Sequence, residues 1–203
     1  MSKINIKVEL VEEMLGTASA NPEIHGEFIA AKAPDAETRE EEIAAIGPDA
    51  VAEKAMTIFP KFEGRPHLWD YQVKGFIKDA MNALREIPGS CVKGNKRLSK
   101  WSYKRTVDNL IFVGPRRIML VLPEGQKIGK CERPLRAETM RGDRIALASS
   151  ETVPVGTTFE CEIDCLDPTL ELAIREALDY GVWKGLGQWR NSGKGRFGWV
   201  EVK

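Results

Sequence analysis

DPTLELAIREALDYGVWKGLGQWRNSGKGRFGWVEV, residues 167–202, sets a helix, a glycine-rich loop and a strand in that order. Asp167 followed by Pro168 reads as a helix start, because the carboxylate can cap free amides and proline fits the first turn. Leu170, Ile174, Ala177 and Leu178 recur at helical spacing, and Gly181 ends the run. The loop that follows has glycines at 185, 187, 193 and 195, cations at Arg190, Lys194 and Arg196, and Trp189 among them. FGWVEV then closes as a strand. A loop that cradles a nucleotide phosphate lies between a strand and the helix after it, so that the helix N-terminus faces the anion. Here the order is reversed, GxGxxG is absent, and no GKS or GKT follows the glycines. The Rossmann and P-loop readings fail on that order.

Upstream, VPVGTTFECEIDCL (153–166) alternates cleanly, with Phe159, Cys161, Ile163 and Cys165 on one face and Glu160, Glu162 and Asp164 on the other. The opening KINIKVEL (3–10) alternates in the same way, burying Ile4, Ile6, Val8 and Leu10. In WDYQVKGFIKDAMNALR (69–85) the period lengthens, and Val73, Ile77, Ala80, Met81 and Leu84 line one side of a helix. NLIFVGPRRIMLVLP (109–123) is strand-like, interrupted at Gly114-Pro115, and DRIALASS (143–150) is a further short strand. Two helices against a mainly antiparallel sheet make an α+β fold, and the ferredoxin-like, RRM-like βαββαβ core fits it best. The chain then reads as a single domain, 1–203. Within it lie an acidic, partly helical insertion after the first strand, 21–66, and a basic loop, 89–106.

The charge is balanced, with 30 basic and 30 acidic residues, so its distribution matters more than its sum. Residues 35–49 hold six acids and one base, whereas residues 93–105 hold six bases and no acid. Such separated faces suit local polyanion binding or head-to-tail stacking of copies. The four cysteines form no CxxC pair, and Cys161 and Cys165 read as small apolar strand residues. With only His25 and His67 available, neither in a ligand-spaced cluster, no metal site and no cofactor are expected. No signal peptide or membrane-length apolar run is seen, which reads as a reduced, cytosolic protein without a membrane partner.

The glycine spacing G-x-G-x5-G-x-G, after a helix and before the last strand, resembles the C-terminal glycine-rich loop of the RAMP superfamily. These are the ferredoxin-like RNA-binding subunits of CRISPR effector and processing complexes. ETVPVGTTFECEID (151–164) is similar to the family's entry into a long strand after a proline-glycine turn. YQVKGFIKDAMNAL (71–84) is similar to its small-residue turn and helix with a lysine and glycine facing RNA. Residues 11–66 depart from the pattern.

The resemblance implies a subunit that coats single-stranded guide RNA as repeated copies, without catalysis, with itself and other CRISPR-type subunits as partners. Lys74 and Lys78, one helical turn apart, would share a face towards the RNA. Lys93, Lys96, Arg97, Lys100, Lys104 and Arg105 interleave with Trp101 and Tyr103, a pattern suited to unstacked bases. Arg116 and Arg117 would extend the groove. In the loop, Gly185, Gly187, Gly193 and Gly195 would bring main chain to phosphates that Arg190, Lys194 and Arg196 neutralise, with Trp189 stacked on a base. Two other readings stay open. A metal-independent processing endoribonuclease would use His25 as general acid or base; target cleavage, which some backbone subunits perform with an acid after the first strand, would fall to Asp35. A RAMP-like mimic would instead block a CRISPR complex through its acidic insertion.

Overall fold

The computed structural model describes residues 1–19, 56–139 and 142–202. In chain order its elements begin with β1 (Ser2–Leu10), β2 (Met14–Leu15) and β3 (Ala18–Ser19), followed by β4 (Met56–Ile58), β5 (Lys61–Phe62) and β6 (Arg65–Trp69). Next come the helices α1 (Asp70–Leu84), α2 (Cys91–Gly94) and α3 (Tyr103–Leu110), then β7 (Ile111–Gly114) and β8 (Arg117–Met119). The chain ends with β9 (Gly129–Thr139), β10 (Gly142–Val153), β11 (Thr158–Cys165), α4 (Glu171–Asp179) and β12 (Phe197–Glu201). Among the described residues, no helix is long and apolar enough to cross a membrane.

The central sheet has the strand order β12-β1-β11-β7, with every neighbouring pair antiparallel. Counting only these core strands, that is the order 4-1-3-2 of a ferredoxin-like βαββαβ fold. α1 fills the first crossover and α4 the second. Ile4, Ile6, Val8 and Leu10 of β1 face the helices and are buried, as are Phe159, Cys161, Ile163 and Cys165 of β11. Burying each large aliphatic side chain contributes about 2 kcal/mol, so the alternation in these two strands fixes which face meets the helices. Burial also pushes the Cys161 thiol up to about 12, which suits the small apolar role read from the sequence.

α1 begins where Gln72 Oε1 accepts from the Trp69 backbone amide at 2.8 Å, with Asp70 in the first turn complementing the helix dipole. Its buried stripe is the expected Val73, Ile77, Ala80, Met81 and Leu84, with Phe76 added. Phe76 packs edge-on against Phe197 of β12, centroids 5.0 Å apart, which ties the first helix to the last strand. Asp167 caps as expected: its Oδ1 accepts from the Thr169 amide at 3.0 Å, and the chain makes a 3-10 turn (Pro168–Leu170) before α4.

Three features differ from the expectation. Residues 143–150 are part of the 12-residue β10, which pairs antiparallel along β9 from Thr152↔Gly129 to Gly142↔Thr139. β9 was not expected, because GKCERPLRAET contains a proline and no apolar alternation. The basic segment expected as a loop is helical. Val92, Leu98, Tyr103 and Val107 bury one side of α2, of a 3-10 turn (Lys96–Leu98) and of α3, while its cations stay outside. Residues 56–66, the end of the expected insertion, supply β4 and β5, and β4 pairs parallel with β10.

Candidate nucleic-acid interface

The sheet face away from the helices is acidic. It carries Glu9, Glu160, Glu162 and Asp164 against Lys3 and Lys7. Lys3 pairs with Glu162 at 2.8 Å, and both Lys3–Asp164 and Lys7–Glu160 lie at 3.9 Å. Four acids against two lysines give this face a net negative charge, which disfavours a polyanion there.

The loop is folded tightly on itself. Gly187, Trp189, Gly193 and Gly195 all have left-handed backbone, φ 79, 56, 82 and 72°. Leu186 donates its amide to the Gly195 carbonyl at 2.9 Å, and Gly195 donates to the Glu13 carbonyl at 2.8 Å. A Cβ on Gly185 would lie 2.0 Å from the Gly195 carbonyl carbon, and one on Gly195 would lie 1.9 Å from the Leu186 oxygen. A Cβ on Gly187 would lie 2.5 Å from the Leu15 oxygen. The close approach these three glycines permit is therefore to this chain's own backbone: Gly185 and Gly195 let the loop close on itself, while Gly187 and the Gly195–Glu13 hydrogen bond hold it against residues 13–15.

Each loop cation sits on a carboxylate. Arg190 pairs with Asp79 of α1 at 2.9 Å, Arg196 with Glu12 at 3.2 Å, and Lys194 with Glu13. Arg196 Nε also donates to the Gly193 carbonyl at 3.0 Å, so that cation is fixed within the loop. Trp189 is half-exposed, and the Arg133 guanidinium of β9 lies 4.9 Å from its ring centroid while donating to Gln188 Oε1 at 3.2 Å.

On α1, Lys74 and Lys78 share a face as predicted, and both reach Asp108 of α3. Lys74 Nζ donates to the Asp108 carbonyl at 2.9 Å, and Lys78 pairs with its carboxylate. Burial pulls the Lys74 ammonium below its usual pKa against the opposing pull of Asp108. In the basic segment, Lys93, Lys96, Lys100, Lys104 and Arg105 are exposed, and Trp101 is 91% exposed with Lys100 Nζ 5.7 Å from its ring. Arg97 is tied to Asp167, the cap of the 3-10 turn before α4, 3.0 Å away, and Tyr103 is buried. Arg116 pairs with Asp70 and stacks over Trp69 and Tyr71 at 4.9 and 5.3 Å, while Arg117 lies 4.3 Å from the Phe62 ring.

α1 and the loop meet across an open cavity of about 610 Å³. Tyr71, Gly75, Lys78 and Asp79 line it from the helix, Gly187 and Arg190 from the loop, and Ala18 and Thr57 from β3 and β4. The structure thus joins two of the three motif segments at one place. Tyr71 and Asp79 were missed as site residues, although with Gly75, the glycine of the matched helix, their i, i+4, i+8 spacing marks the helix face that the core stripe leaves free. Arg133 was missed because its strand was. His25 and Asp35 lie outside the described residues. His67 is fully buried in β6, its ring edge-on to Trp69 at 4.6 Å, and burial lowers its pKa to about 4, as fits a structural residue.

A scan of family models and a search of curated proteins find no match to the sequence. Among solved structures, the chain is similar to one in a type III-B Cmr-beta complex bound to cognate target RNA. The TM-score there is 0.55 at 9% identity, over 99% of this chain and 58% of that one. This chain therefore spans 58% of that relative's length, and the likeness shows the fold alone. A chain of a type IV-B CRISPR complex gives 0.47 at 9% identity, covering 99% and 90%. Cmr6 from Pyrococcus furiosus gives 0.48 at 12%, covering 99% and 98%.

Proposed function

We propose that this chain is a RAMP-type RNA-binding subunit that coats single-stranded guide RNA as repeated, non-catalytic copies in a CRISPR-like ribonucleoprotein. The observation that carries the reading is the cavity where the glycine loop faces Lys78 and Gly75 of α1, on a 4-1-3-2 sheet whose other face is acidic. Polyanion and sheet face repel, so RNA runs over the helical side. There Arg190 would exchange its carboxylate partner for a phosphate, Lys78, Lys194 and Arg196 would add positive charge beside it, and the exposed Lys93, Lys96, Lys100, Lys104 and Arg105 would extend the track. Trp101 and Trp189 offer ring faces to unstacked bases. A chain of similar fold lies in a Cmr-beta complex bound to cognate target RNA, which supports the RNA-binding part of this reading.

Among the described residues the arrangement offers charge and ring faces and no row of groups aimed at base edges, so phosphate contacts carry the affinity. With about 4 phosphates neutralised per copy, log affinity falls against log salt with a slope of roughly −3 for a single strand. A salt titration of an oligouridine by fluorescence anisotropy measures it. A slope near zero contradicts the proposal.

A further inference from the structure

Resting on the RNA reading, we infer that the cavity between α1 and the glycine loop is a subsite for one unstacked nucleotide. Its base enters the space beside Tyr71 and Gly75, and its phosphate takes Arg190 from Asp79. A phosphate track alone needs only a surface, whereas this is a recess of about 610 Å³, within the range of small-molecule sites. Its wall holds the Tyr71 ring, which the Arg116 guanidinium backs at 5.3 Å. Gly75 leaves the helix side of the recess open, since a Cβ built there meets nothing within 4 Å. The rim carries both signs: Lys78 and Arg190 against Asp79.

The Arg190–Asp79 pair is the exchangeable one among the loop cations. Asp79 is 52% exposed, against 40% for Glu12 and 35% for Glu13, and Arg196 is held as well by the Gly193 carbonyl. An ion pair at that exposure is weak. A phosphodiester offers Arg190 the same single charge as the carboxylate and two oxygens that one guanidinium can reach together, so the aspartate holds the guanidinium where the nucleotide needs it.

The test uses the full chain, a fluorescein-labelled oligouridine, and an abasic ribose-phosphate oligomer of the same length. Gly75→Leu fills the recess from an open position in a helix that leucine favours over glycine, so its melting temperature stays at or above that of the wild type. Stacking of one base corresponds to a roughly 5- to 150-fold change in affinity, and Gly75→Leu is expected to lose about tenfold on oligouridine and nothing on the abasic oligomer. Asp79→Asn is expected to bind both oligomers several-fold more tightly. Wild-type affinity of Gly75→Leu for oligouridine, or an equal loss on both oligomers, overturns the base site while leaving the RNA reading standing. Unchanged or weaker binding by Asp79→Asn overturns the placement of phosphate on Arg190. If neither oligomer binds the wild-type chain in a salt-dependent way, the RNA reading and this subsite fall together.

Discussion

Gly195→Ala should weaken the fold while Gly75→Ala strengthens it, though both replace glycine by the same residue. At 195 the backbone is left-handed, φ +72°, and the new Cβ would stand 1.9 Å from the Leu186 carbonyl oxygen. Forcing alanine into that conformation costs about 1–2 kcal/mol. Relieving the clash must part the Leu186–Gly195 hydrogen bond of 2.9 Å and disturb the Gly195–Glu13 bond of 2.8 Å, each contributing about 1 kcal/mol. The sum is about 3 kcal/mol, a large share of the stability of a single domain. For a chain of this length that lowers the melting temperature by roughly 6–12 °C. At 75 the backbone is helical and the Cβ meets nothing within 4 Å, so alanine gains about 1 kcal/mol of helix propensity and the midpoint rises by roughly 2–4 °C. Thermal unfolding followed by circular dichroism, with all three proteins at one concentration, reads both shifts. A Gly195→Ala protein that melts with the wild type would refute the clamped-loop geometry.

Three further outcomes follow from single residues. His67 titrates near 4 in the folded chain and near 6.5 unfolded, so its contribution is complete above pH 6.5 and is lost as pH falls towards 4. The loss reaches about 3 kcal/mol, and His67→Leu should flatten stability against pH in that window relative to wild type; parallel curves would contradict the assignment. Trp101→Ala should leave the melting temperature unchanged, since the ring is 91% exposed, while weakening oligouridine binding by about 1–3 kcal/mol; equal affinity removes Trp101 from the interface. A thiol reagent on the native chain should modify Cys91 and Cys131 and spare the buried Cys161 and Cys165 until the protein unfolds; rapid reaction of all four contradicts the packing of β11.

The fold was legible where one face of an element is buried. Period-two alternation in residues 3–10 and 153–166 placed β1 and β11, and the stripe at Val73, Ile77, Ala80, Met81 and Leu84 placed α1. Residues 129–139 carry no such signal, because β9 is specified by pairing with β10 and contains Pro134. The basic segment hides its helices because charge dominates its composition, while only Val92, Leu98, Tyr103 and Val107 report the buried side. Of the interface, the sequence showed residue types but not their partners. Arg190, Lys194 and Arg196 look free along the chain, and folding brings each to an acid at 79, 13 or 12. The glycines mark close approach, which the sequence assigned to phosphate and the folded loop spends on its own backbone.

The central claim, that copies of this chain coat a single RNA strand, is tested most directly by what the protein carries out of the cell. The chain is purified natively, digested with nuclease and stripped of protein, and the protected fragments are sized. Coating by repeated copies yields RNA in regular length steps, each step the footprint of one copy, released as salt rises. Recovery of a nucleic-acid-free monomer that also ignores added single-stranded RNA at low salt would contradict it.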